Sequence, residues 1–170
     1  TEQGFFEWRD RLLRTSRLDG AVPKGARLLT RRGAELWFTD EASLLRFDGQ
    51  HVTRLEVAHV SELSASSTSP NLVAATPLGP VLIASRGTGF ELQPLADEVE
   101  GLERAVPVGD HDVLGLAAMG RLFRRMRVEG GVAWRRVALT MDPADRGAEG
   151  LTTLLIDPET GAPTVGSSTQ

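Results

Sequence analysis

The stretch GFELQPLADEVEGLERA, residues 89–105, decides how the rest of the chain is read. Its first half alternates, Phe90 and Leu92 against Glu91 and Gln93, which is the period of a half-buried strand. Its second half changes period: Leu95, Val99 and Leu102 fall at i, i+4 and i+7, with Asp97, Glu98, Glu100 and Glu103 on the rest of the wheel. Pro94 suits the first turn of a helix. The spacing therefore predicts a strand running directly into an acidic amphipathic helix that caps a sheet.

Upstream, short β-forming runs are separated by turn residues. They are RLLTRR (27–32), ELWFTD (35–40), LLRFDG (44–49) and VTRLEVAHV (52–60), then LVAATPLG, PVLIASR and GFELQPL, seven strands in all. Asp48-Gly49 between two such runs is a strong hairpin signal, because both central turn positions favour positive φ. The serine-rich stretch Ser61 to Asn71 reads as an exposed loop. Before the strands, FFEWRDRLLRTSRL (5–18) puts Phe5, Trp8 and Leu12 at helical spacing, and Asp19-Gly20 supplies a stop.

Downstream, VLGLAAMGRLFRRMRV (113–128) fits either an amphipathic helix broken by Gly115 and Gly120 or two strands. VAWRRVAL (132–139) and LTTLLID (151–157) read as strands, and residues 158–170 have the composition of a frayed tail. The expected organisation is an N-terminal helix over 1–20, a helix-capped β domain over 27–106, a β-rich extension over 108–157 and a flexible tail over 158–170.

The composition is that of a globular chain: 170 residues, 41% hydrophobic and 25% charged, with a net charge of −4. By size it forms one domain that buries roughly 70% of its unfolded surface. Disorder, a collagen-like repeat and a general polyanion binder are disfavoured. With no cysteine there are no disulfides, thiolate metal sites or cysteine nucleophiles. Lys24 is the sole lysine beside 18 arginines, a bias that lowers the weight of any single arginine. The longest apolar runs fall well short of the roughly 20 residues of a membrane-spanning helix. The opening residues do not read as a signal peptide, which makes the cytoplasm the expected compartment.

Residues 27–106 resemble pleckstrin-homology-like domains of the GRAM and bacterial PH types. ELWFTDEASLLRF is similar to their strand-turn-strand passage, VTRLEVAHVSEL to their fourth strand, and GFELQPLADEVEGLERA to their last strand and helix. The resemblance implies a mainly β fold with helices, two antiparallel sheets forming a sandwich or barrel closed by a helix. In bacteria it implies use as a protein-interaction scaffold. A second resemblance competes with it. ELWFTDEASLLRFDGQHVTRL is similar to a blade of sensor-type β-propellers, and strand starts near Leu36, Leu72, Val113 and Leu151 repeat at blade-like intervals, which implies a propeller or a fragment of one.

Chemistry is sparsely signalled. Asp110-His111-Asp112 is the most catalytic-looking triplet and would serve a hydrolase, although Gly-Asp-His-Asp is equally an ordinary turn or cap. His51 and His59 lie in a turn and at a strand end, without metal-ligand spacing. Nucleotide-binding, zinc-protease and nucleophile-elbow motifs are absent from the sequence, and Ser85-Arg86-Gly87-Thr88-Gly89 reads as a hairpin turn. No cofactor or metal is expected.

Binding has two candidate sources. Residues 121–136, RLFRRMRVEGGVAWRR, set Arg121, Arg124, Arg125, Arg127, Arg135 and Arg136 against one glutamate, with Phe123 and Trp134 interleaved. These arginines would either meet an anionic partner or pair with the acidic segment at 97–103. The other source is the stripe Phe5, Trp8 and Leu12, suited to a partner's groove or a membrane interface unless it packs on the chain's own sheet. The leading expectation is a non-catalytic protein-interaction module within a larger assembly. A peripheral adaptor on an anionic membrane is the alternative and a hydrolase the last; nucleic acid and a small-molecule substrate are not expected partners.

Overall fold

A computed structural model describes residues 6–9, 12–15, 22, 23, 26–138, 149–157, 160 and 162–168. Every regular element among them is a β-strand except one short 3₁₀ turn, Ala118–Gly120. The chain divides into two units, Thr1–Ser61 and Glu62–Gln170.

The first unit holds a hairpin and a four-stranded sheet. In the hairpin β1 (Phe6–Arg9) pairs antiparallel with β2 (Leu12–Thr15), Phe6 opposite Thr15 and Arg9 opposite Leu12. The helix expected over 1–20 is thus replaced by two strands where the chain is described; Phe5 lies outside the described residues. The physical reason is that so short a segment satisfies both periods: Phe6 and Trp8 alternate with Glu7 and Arg9 as well as they match a helix stripe.

The sheet follows in strict chain order, β3 (Arg27–Arg32), β4 (Glu35–Thr39), β5 (Leu44–Phe47) and β6 (Val52–Leu55), all antiparallel. Its turns are set by two aspartates. The carboxylate of Asp48 accepts the N–H groups of Gln50 at 2.9 Å and His51 at 2.8 Å, while Gly49 takes a φ of 101°. Asp40 accepts both the N–H and the hydroxyl of Ser43, at 2.9 and 2.7 Å. One face of this sheet buries Phe38, Leu45 and Phe47 with Val22.

The second unit repeats the arrangement. One four-stranded meander is β7 (Glu62–Ala65), β8 (Leu72–Thr76), β9 (Gly79–Arg86) and β10 (Gly89–Pro94). The next is β11 (Leu102–Pro107), β12 (Val113–Ala117), β13 (Arg121–Val128) and β14 (Gly131–Arg136). A hairpin of β15 (Glu149–Ile156) and β16 (Pro163–Ser168) comes last. The first strands β7, β11 and β15 lie side by side. One face of the β11–β14 sheet packs on the β7–β10 sheet through Val73, Leu82, Ala84, Leu102, Ala105, Val113 and Ala117. The other face, with Val106, Leu116 and Leu122, packs against Leu154.

This all-strand architecture overturns the helix-capped fold. The seven expected strands are real, but they are divided between two units, and the serine-rich stretch taken as a loop contributes the eighth, β7. Glu62 and Leu63 there lie on opposite faces, and Leu63 is buried. Phe90 to Gln93 form the outer strand of a meander, paired with Leu82 to Ser85, and no helix follows. Residues 95–101 instead make tight turns: the N–H of Glu98 donates to the Leu95 carbonyl at 3.1 Å, and that of Leu102 to the Val99 carbonyl at 3.2 Å. Gly101, at φ 70°, ends the segment. The turns bury Leu95, Val99 and Leu102, the same three side chains a helix would have buried.

The alternative left open over 113–128 resolves to strands, and the tail is a separate correction. Residues 113–128 are two strands, and Val113 to Ala117 is almost uniformly apolar because both faces of its sheet are covered, which erases alternation. The tail expected to fray pairs with β15 through Pro163–Ser168.

Candidate functional site

The two stacked sheets of the second unit leave a cleft between them of about 440 Å³. Its lining includes Asn71, Ser85, Arg86, Asp110, His111, Arg125 and Arg127, with Leu82, Ala84, Val132 and Pro70 supplying apolar surface. Two connections hold its rim together. Ser69 Oγ donates to the Gly109 carbonyl at 2.6 Å, and Asn71 Nδ2 donates to the Asp110 carbonyl at 2.8 Å. Asn71 Oδ1 in turn accepts the Ser85 N–H at 3.1 Å. One buried amide therefore ties the loop after β7, strand β9 and the loop after β11.

Asn71→Ala is expected to lower stability by about 1–3 kcal/mol, since it removes two side-chain hydrogen bonds from the rim, each worth about 0.5–1.5 kcal/mol. Urea unfolding followed by tryptophan fluorescence measures it, and an unchanged midpoint would show that the rim is held by other groups.

One lining residue, Arg125, is held by an ion pair. Arg125, only 7% exposed, donates from Nε to Glu98 at 2.9 Å and from Nη2 to Glu98 and Gln93 at 3.1 and 3.2 Å. Trp134 Nε1 donates to the same glutamate at 2.7 Å. Burial alone would raise the pKa of Glu98, but the bonds from Arg125 and Trp134 outweigh it and hold the carboxyl below its usual value. Charge is thus neutralised between the sheets, as a buried guanidinium requires.

The arginine cluster is divided by strand alternation. Arg121, Phe123, Arg125 and Arg127 share one face of β13, with Trp134 and Arg136 opposite Arg125 and Phe123 on β14; Arg124 and Arg135 share the other face. Arg121 donates to the Ala118 carbonyl and lies 6.0 Å from the Phe123 ring centre. Arg124 pairs with Asp112, whose charge offsets the like-charged Arg135 directly across the ladder. Of the six, Arg125 alone pairs with the acidic segment at 97–103. Arg127, Arg135 and Arg136 have no ion pair among the described residues, and all three are exposed. Nothing beyond strand backbone is described for Trp8 and Leu12.

The triplet Asp110-His111-Asp112 does not converge. Asp110 and His111 line the cleft, whereas Asp112 is tied to Arg124 and is not part of the lining. His111 has no hydrogen bond to either aspartate among the described residues. His51 and His59 are exposed, and no group of three or more metal-ligating side chains occurs among the described residues. Among the described residues no helix is long and apolar enough to cross a membrane.

Sequence reasoning missed Asn71 and Gln93 as parts of this site, since their partners lie 39 and 32 residues away, whereas the expected pairing of the arginine cluster with the acidic segment at 97–103 holds for Arg125 and Glu98. Comparison with known proteins finds no matching family model, curated protein or solved structure.

Proposed function

We propose that the chain is a non-catalytic protein-interaction module, a run of blade-like sheets that presents an outer strand to an acidic protein partner within a larger assembly. The observation that carries this reading is the outer edge of β14. Gly131–Arg136 has no strand beyond it among the described residues, and it displays Val132, Arg135 and Arg136 to solvent. An edge of unpaired N–H and C=O groups takes an added strand, and unpaired arginines beside it favour a partner with carboxylates opposite. The serial four-stranded meanders support the comparison with propeller blades, which commonly act as rigid platforms. Division of the arginines over two faces of β13–β14 weakens the case for one flat membrane-binding surface. A cytoplasmic location belongs to the same proposal.

The test is capture from native lysate by the full chain, its R135E/R136E variant and its R135K/R136K variant. A stoichiometric partner retained by wild type and the lysine variant but lost on charge reversal supports the reading. Equal recovery by all three, or recovery of phospholipid in place of protein, contradicts it.

A further inference from the structure

We propose that the cleft between the two sheets of the second unit is a binding site for a small molecule carrying an oxyanion, a phosphate or a carboxylate, gripped by Arg127 and Arg125. This goes beyond the protein-docking edge, with which the cleft shares Gly131 and Val132 of β14. Its volume of about 440 Å³ lies within the range of small-molecule sites. Arg125 and Arg127 stand two residues apart on one strand face, roughly 6–7 Å along the backbone, a spacing that lets two guanidinium groups share one anion.

The two arginines differ in a useful way. Arg125 is fixed: Nε and Nη2 are engaged by Glu98 and Gln93, so its remaining nitrogen is a positioned donor at the cleft. Arg127 is the opposite, an exposed cation in the lining with no partner among the described residues. Glu98 and Glu91 already balance Arg125 and Arg86, so the net attraction for an anion comes chiefly from Arg127. The Ser85 hydroxyl and the His111 ring, both in the lining and both without a partner among the described residues, add further donors. Asp110 is the one acid in the lining, and it sets the second half of the ligand's chemistry. It repels a bare polyanion and accepts from a hydroxyl or amine, so the fitting molecule is polar, with one oxyanion and a donor group.

The experiment is an amide and arginine Nε NMR titration of the full chain. Inorganic phosphate and acetate serve as separate probes, at ionic strength held constant with chloride. Saturable shifts confined to Ser85, His111, Arg125 and Arg127 are expected, and the tighter probe identifies the oxyanion. Arg127→Gln should weaken apparent affinity by about tenfold, the loss of one charge-assisted contact, and Ser85→Ala by less. Arg104→Gln, an exposed arginine outside the lining, should leave it unchanged. Shifts that grow linearly, that spread over arginines outside the cleft, or that persist undiminished in Arg127→Gln would overturn the assignment.

Discussion

Arg125→Met is expected to lower the unfolding free energy by about 2–4 kcal/mol, the cost of leaving a partly buried carboxylate without its cation. The upper end of the range for buried pairs is not reached, because the Glu98 side chain remains 34% exposed and water compensates part of the loss. Removing both charges should be gentler than removing one. In E98Q/R125M the Trp134 N–H keeps an acceptor, so a double-mutant cycle should return a coupling of about 1–3 kcal/mol. Chemical denaturation of the four proteins at neutral pH measures it, and strictly additive effects would mean that the pair does not hold the sheets.

The same pair has a pH signature. The pKa of Glu98 is lower in the folded chain than its ordinary value of 4.5, so the folded state binds this proton less readily than the unfolded one. Its contribution is therefore complete above the unfolded value and disappears as pH falls through the depressed folded value. Stability of the wild type should decline more steeply below about pH 4.5 than that of E98Q/R125M. Parallel acid limbs for the two proteins would contradict the assignment.

Gly115→Val is expected to have a comparable or larger effect. A Cβ at this position would stand 2.7 Å from Leu102 Cδ1 and 2.9 Å from Trp134 Cζ3, inside contact distance on both sides. Leu102 is buried and the indole is rigid, so neither yields without moving the other, and Trp134 is the donor to Glu98. Gly115→Ala should cost about 1–3 kcal/mol by overpacking, with the valine variant costing more and losing near-ultraviolet tryptophan dichroism. If Gly115→Ala melts with the wild type, the close approach of β11, β12 and β14 is not as described. Pairing it with Leu102→Ala, which opens the space, should recover part of the loss.

What the sequence made legible follows from which faces are covered. β3 to β6 were readable because Asp40 and Asp48 fix turns locally and the runs between them are short and bounded. Val113 to Ala117 was ambiguous because burial on two sides removes the polar half of the pattern. Leu95, Val99 and Leu102 misled for a different reason: consecutive tight turns and a helix advance the chain similarly over seven residues. What distinguishes a meander from a plugged barrel is that the chain turns after β10 and pairs 102–107 with β12 of the next sheet, which the 95–102 spacing does not reveal. The cleft was half visible. Asp110, His111, Arg125 and Arg127 stood out by residue type and Glu98 lay in the acidic segment expected to pair with the arginines, while Asn71 and Gln93 acquire their roles only when the sheets stack.

The central claim is that residues 89–107 run as an outer strand, a pair of turns and the first strand of the next sheet. Backbone carbon chemical shifts over this stretch test it directly. Extended values at 89–94 and 102–107, interrupted only at 95–101, with cross-strand proton contacts between Glu91 and Ala84, are predicted. An unbroken run of helical shifts from Leu95 to Ala105 would contradict it.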